Sequence, residues 1–180
     1  MKKYNLVLPN WDNKEIEAIN KVVKSGYFTI GKNVEKFEKE FSKKQGMKYS
    51  VMVNSGSSAN LIAIYSLFYV KKNPLKRGDE VIVPALSWST TYSPLEQLGL
   101  KIKIIDINLD TLNINMELLK KNISSKTKLI IGVSILGNPA DLHGIKKLCL
   151  KKNIHFMEDN CESLGASLKN KKTGTFGVVN

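Results

Sequence analysis

Ser55-Gly56-Ser57-Ser58-Ala59-Asn60 is the stretch that decides the reading of this chain. Before it, Tyr49 to Val53 alternates and carries β-branched residues, which predicts a strand; after it, Ala59 to Val70 keeps an apolar face at helical spacing. The small residues therefore occupy a strand-to-helix turn. The first amides of a helix have no internal partners, so an anion placed there meets aligned N–H donors and the positive end of the helix dipole. Glycine lets the backbone come close, and serine hydroxyls add donors. Ser55 or Ser57 serves equally well as a plain helix cap, so the turn alone leaves both uses open. Neither G-x-G-x-x-G nor a Walker pattern occurs, which argues against the usual dinucleotide and nucleoside triphosphate cradles.

Outward from this turn, strands and helices alternate. Strands are predicted over 80 to 84, 102 to 106, 128 to 133 and 154 to 158, and helices over 57 to 70, 90 to 98, 115 to 122 and 140 to 152. This is the pattern of an α/β fold with a mostly parallel sheet covered on both faces. Ligands bind such sheets at the carboxyl ends of the strands. Ser55 to Ser58, Ser87 to Thr91, Gly137-Asn138-Pro139 and Asp159 to Glu162 all fall there. Upstream, Asp12 and Glu15 form a capping box ahead of Ile16, Ile19, Val22 and Val23, and a second helix over Asn33 to Gln45 turns Val34, Phe37 and Phe41 inward and stops at Gly46. Residues 1–46 thus read as a helical arm, and 47–180 as the main domain. The aromatics of the intervening Gly26-Tyr27-Phe28-Thr29-Ile30-Gly31 loop are expected to fill core, with a substrate pocket or an oligomer contact as their other uses. Downstream, Ala166 to Leu168, a turn over Lys169 to Lys172, and Thr173 to Gly177 read as a hairpin, after which the domain looks incomplete.

Composition sets bounds on function. With 180 residues and 42% hydrophobic content, the chain can bury a core. It has no apolar run of membrane-spanning length and no signal-peptide pattern, and reads as cytoplasmic. Its net charge of +12 invites a polyanion, yet the lysines are spread over helix faces without interleaved aromatics, so direct nucleic-acid binding is not expected. Cys149 and Cys161 form no C-x-x-C pair and are read as packing residues, with no metal site. His143 on a helix and His155 in a strand carry no site.

Asn54 to Asn60, Gly78-Asp79-Glu80-Val81-Ile82-Val83-Pro84, Leu136-Gly137-Asn138-Pro139-Ala140-Asp141 and Glu158-Asp159-Asn160-Cys161-Glu162-Ser163-Leu164-Gly165-Ala166 together resemble the DegT/StrS-type nucleotide-sugar aminotransferases. These are fold-type I enzymes dependent on pyridoxal 5'-phosphate (PLP). The resemblance runs through essentially the whole chain. It implies the large domain of that fold, incomplete at its carboxyl end. Within the family, Ser87-Trp88-Ser89-Thr90-Thr91-Tyr92, the Leu-Gly-Asn-Pro run and Glu-Asp-Asn-Cys-Glu-Ser are most similar to the sugar 3-dehydratase branch, which works on 4-keto-6-deoxyhexoses with the amine form of the cofactor, pyridoxamine 5'-phosphate.

The resemblance also implies roles. Gly56, Ser57 and Ser58 hold the cofactor phosphate; Trp88 stacks on the pyridine ring; Asp159 pairs with the ring nitrogen; Glu162 lies near the ring hydroxyl or the sugar; Asn138 is a further candidate on the pocket wall. Asp159 and Glu162 are the catalytic candidates within this stretch. The Schiff-base lysine of the aminotransferases, replaced by histidine in the 3-dehydratases, follows Thr173-Gly174-Thr175-Phe176-Gly177 at a position beyond Asn180. A 4-keto-6-deoxyhexose 3-dehydratase is therefore the favoured reading, with a nucleotide-sugar aminotransferase beside it, and an inactive fragment or a basic binding module as alternatives of other kinds. The family further implies a nucleotide-sugar substrate on the way to surface polysaccharide such as lipopolysaccharide O-antigen, an amino-acid donor such as glutamate, and a homodimer.

Overall fold

Val81, Ile82 and Val83 are three consecutive apolar β-branched residues, the mark of a strand buried on both faces. In a computed structural model, which describes residues 10–179, all three have 0% exposure and lie in β1 (Glu80–Pro84). The sheet is completed by β2 (Lys101–Ile105), β3 (Thr127–Val133) and β4 (His155–Asp159), all parallel, in the order β2-β1-β3-β4. Because side chains alternate across a strand, Val81, Val83, Leu129, Ile131 and Met157 pack on one face and Ile82, Ile130 and Phe156 on the other. Helices α3 (Gly56–Ser66) and α4 (Ser89–Gln97) belong to the first face, α5 (Met116–Asn122) and α6 (Leu142–Lys152) to the second. Each fully buried aliphatic side chain contributes about 1.5–3 kcal/mol. Gly132 lets the second layer close tightly, since a Cβ there would meet the Phe156 ring at 2.9 Å.

The α/β reading and the four sheet strands agree with this architecture to within a residue. Tyr49 to Val53 does not. That segment forms no strand, and Tyr49 and Val51 are 75% and 74% exposed. Alternation supplies a face but no hydrogen-bond partner, and no strand of the sheet runs beside it among the described residues. The helix expected to reach residue 70 ends at Ser66, with Leu67 as its C-cap. The hairpin is shorter than expected: β5 (Ser167–Leu168) pairs with β6 (Lys171–Lys172), while 173 to 177 forms turns. Lys169 and Asn170, both at positive φ, make the two-residue connection that matches strand twist.

The first nine residues of the arm expected over 1–46, and Asn180, lie outside the described residues. Helix α1 (Asn13–Ser25) shows the Asp12/Glu15 capping box, and α2 (Lys32–Gln45) stops at Gly46 as expected. Helix α1 buries no residue, and Tyr27, Phe28 and Ile30 are exposed rather than core. Ala18, Ile19, Phe37 and Val51 line a groove of about 1050 Å³ between the two helices and the segment 49–53. No helix among the described residues is long and apolar enough to cross a membrane, and none of their His, Cys, Asp and Glu side chains cluster as a metal site.

Two carboxylates brace the sheet. Glu158, 2% exposed, accepts backbone N–H bonds from Gly174 (2.7 Å), Gly177 (2.7 Å) and Phe176. This fixes the loop from which Val178 and Val179 run along the outer edge of β4, with Glu158 N donating to Val179 O at 3.1 Å and Val178 N to Phe156 O at 2.7 Å. At the other end, burial pushes the Glu80 carboxyl up, but hydroxyl bonds from Thr127 and Ser124 and the Lys103 ammonium at 3.7 Å outweigh it and hold the group below its ordinary value. A carboxyl depressed on folding stabilises above its unfolded value of 4.5 and loses that contribution as pH falls through the folded value. Glu80→Gln should therefore lower the melting temperature at neutral pH, and its difference from wild type should shrink as melts are taken below about pH 4. A pH-independent difference would remove Glu80 from the acid response.

Candidate functional site

Strand order reverses between β1 and β3, because the chain leaves β1 toward β2 on one side and returns to β3 on the other. Loops at the carboxyl ends of adjacent strands diverge at such a point and leave a crevice. A cavity of about 550 Å³ lies there, lined by Gly56, Asn60, Trp88, Ile135, Asp159 and Glu162 among others. Three of the four polar clusters contribute to it, from the first turn of α3 and the ends of β1 and β4.

At α3, Ser55 is the N-cap: its Oγ accepts from Ser58 N at 3.2 Å. The capping use of this serine is thus real. It leaves the amides of Gly56 and Ser57 with no backbone acceptor among the described residues. Ser57 is exposed and Ser58 half-buried on the same turn, and Gly56 lines the cavity. A Cβ on Gly56 would lie 4.0 Å from Cys161 Sγ, an ordinary contact.

Asp159 ends β4 and is half-buried against the cavity. Its Oδ2 accepts from Thr91 Oγ1 at 2.7 Å and Asn60 Nδ2 at 3.0 Å. Its Oδ1 has only a long bond from Cys161 N, at 3.4 Å. The two donors occupy one oxygen and leave the other for a ligand. Thr91 is itself paired with Ser87, Oγ1 to Oγ at 2.8 Å, and is 1% exposed. Asn60 and Thr91 are not among the site residues expected from the sequence, although Thr91 ends the Ser87 to Thr91 cluster and Asn60 ends the Ser55 to Asn60 stretch.

Trp88 precedes α4 and is 72% exposed at the cavity, so its ring is available for stacking. Glu162 accepts from Leu136 N at 2.5 Å through Oε2. Leu136 sits at φ 51, unusual for a leucine, on the 3-10 turn Ile135–Gly137, so the carboxylate anchors a strained wall. Asn138 points elsewhere: its side chain donates to Thr111 O at 3.2 Å, and it is absent from the cavity lining. Cys149 is buried as expected, with its thiol pushed up to about 12 by burial, whereas Cys161 is exposed in the cavity and is not a packing residue. It follows the strand end by two residues, where the chain has already left the core.

The arrangement can take an anion at the α3 turn, an aromatic ring over Trp88 and a basic ring nitrogen or other cationic donor at Asp159 Oδ1. The GDP-4-keto-6-deoxy-D-mannose 3-dehydratase of Yersinia pseudotuberculosis is 51% identical over 179 residues, covering 99% of this chain and 46% of that protein. The protein of the same name from Escherichia coli O55:H7 is 50% identical with the same coverage. The solved E. coli GDP-4-keto-6-deoxy-D-mannose-3-dehydratase with bound hydrated PLP superposes with a TM-score of 0.92, covering 97% of this chain and 45% of that one. The chain spans less than half the length of these relatives. Residues 9–180 match the family model, and on both grounds the chain belongs to the DegT/DnrJ/EryC1/StrS aminotransferase family.

Proposed function

We propose that this chain provides the cofactor-binding part of a PLP- or pyridoxamine phosphate-dependent enzyme that removes the C3 hydroxyl from a nucleotide-linked 4-keto-6-deoxyhexose. The observation that carries the reading is Asp159, held through Oδ2 by two donors and open through Oδ1 toward a cavity bounded by an anion-ready helix turn and an exposed indole. This donor set fits a phosphorylated pyridine. The Gly56 and Ser57 amides, with the Ser57 and Ser58 hydroxyls, hold the phosphate; Trp88 covers one ring face; Asp159 Oδ1 holds the proton of the ring nitrogen. Once bound, that cofactor acts as an electron sink for negative charge developing beside its substituent nitrogen. Glu162 borders the same cavity and keeps the Ile135–Gly137 wall in place.

The dehydratase is favoured by 51% identity to a 3-dehydratase along almost the whole of this chain. The family's aminotransferase name supports a second reading, replacement of the C4 ketone by an amine, and both readings use the same residues. We further propose an arm over 1–46 and a cofactor domain from 47 onward, a homodimer, glutamate as amino donor, and the cytoplasm, where nucleotide sugars are made.

The test is to incubate the full-length protein with PLP, glutamate and GDP-4-keto-6-deoxymannose and to weigh the product. A sugar lighter by one oxygen atom, with 2-oxoglutarate and ammonia formed, is the expected result. A sugar with an amino group in place of its ketone oxygen would sink the dehydratase in favour of the transferase. Failure to develop a cofactor absorption band would overturn both.

A further inference from the structure

Asn60 and Pro94 form a device with Asp159 that reaches across three parts of the fold. Pro94 sits inside α4 and has no N–H, so the carbonyl four residues earlier, Thr90 O, lacks its regular helical donor. Asn60 Nδ2 donates to that carbonyl at 3.2 Å and to Asp159 Oδ2 at 3.0 Å. An amide NH₂ has two hydrogens, and both are spent here. Asn60 is 9% exposed, and it leaves α3 on the side that faces the sheet. The proline thus frees an acceptor, the acceptor fixes the plane of the Asn60 amide, and the fixed amide sets the Asp159 carboxylate.

We propose that Asn60 is a positioning residue for Asp159, and that Pro94 in α4 supports this role by freeing the Thr90 carbonyl that orients Asn60. The inference rests on the cofactor reading above. Asn60 touches no reacting atom; it acts by keeping Oδ1, rather than Oδ2, turned to the ligand. Thr91 secures the same oxygen but cannot by itself fix rotation about the carboxylate axis, since one donor leaves that freedom.

The test uses the full-length protein loaded with PLP and three variants, Asn60→Ala, Pro94→Ala and the double variant, each checked for an unchanged thermal melt or circular dichroism spectrum. Affinity is read by titration with PLP, and the pH profile of the bound cofactor's absorption band is recorded beside it. Asn60→Ala should weaken PLP binding about tenfold, the weight of one hydrogen bond to a charged group, and displace the pH profile toward lower pH because the ring nitrogen loses a well-placed counter-charge. Pro94→Ala, which restores a helical donor to Thr90 O, should move both readouts in the same direction by less. The double variant should be no worse than Asn60→Ala, since the two act through one contact. An unmoved pH profile in a folded Asn60→Ala protein, or losses that add in the double variant, would overturn the positioning role. A wild-type protein that takes up no PLP would overturn the functional reading and this inference together, whereas normal uptake with unaffected variants overturns the inference alone.

Discussion

In the full-length protein, on the dehydratase reading proposed above, Asp159→Asn should leave the fold intact and reduce turnover by about two to three orders of magnitude. The substitution keeps the shape of the side chain, and its remaining carbonyl oxygen can still accept from Thr91 and Asn60, the two donors on Oδ2. The position facing the cavity then becomes an NH₂ group. A donor directed at a protonated ring nitrogen would repel it, so the proposed cofactor would keep the phosphate and stacking contacts assigned to the α3 turn and Trp88 but lose the counter-charge at its ring nitrogen. Steady-state turnover of the nucleotide sugar, measured beside PLP affinity, separates the two effects: turnover should collapse while affinity falls far less. Turnover close to wild type would remove Asp159 from the chemistry.

Glu158→Ala, one residue away, should act almost entirely on stability. The carboxylate is 2% exposed and accepts from Gly174, Phe176 and Gly177, so truncation strips three amides of their acceptor inside the protein. Each buried amide left unpaired costs about 1–3 kcal/mol, and the sum is a large part of the stability of an ordinary domain. We expect a loss of about 3–5 kcal/mol in denaturant unfolding, with hydrogen exchange at those three amides accelerated more than at β1. Glu158→Gln keeps one accepting oxygen and should fall between. A change below about 1 kcal/mol would show that water or a rearranged loop replaces the carboxylate. The neighbours Glu158 and Asp159 thus divide their labour through strand alternation: one turns into the protein, the other to the cavity.

The sheet was legible because its signal is local. A run such as Val81-Ile82-Val83 is apolar wherever it sits, and punctuation by Gly78 and Pro84 marks its bounds. The helix caps Asp12, Gly26 and Gly46 are local in the same way. Tyr49 to Val53 has the alternation of a strand, but pairing depends on what lies alongside, which no window of five residues contains. The candidate site was legible as clusters at strand ends, and the anion turn was ambiguous with capping for a sound reason, since Ser55 does cap α3 while its neighbours' amides remain open. What could not be read was the bracing. Asn60 and Asp159 are 99 residues apart in sequence. The one available signal was a proline within a helical pattern, which predicts an orphaned carbonyl without saying which side chain will answer it. Leu136 is similar: nothing in its identity announces a left-handed backbone, which Glu162 anchors from a different loop.

The exposed, unpaired segment Tyr49-Ser50-Val51-Met52-Val53 bears on how the chain behaves in bulk. It carries no charge and no proline, and its tyrosine, valines and methionine give it the composition of segments that stack into steric zippers. Lys48 flanks it as a gatekeeper, and the net charge of +12 makes copies of the chain repel one another. That repulsion is screened by salt while the segment's own β-propensity is not. Added salt is therefore expected to raise light scattering from this chain through a segment that contributes nothing to its sheet, and Val51→Lys should suppress that rise.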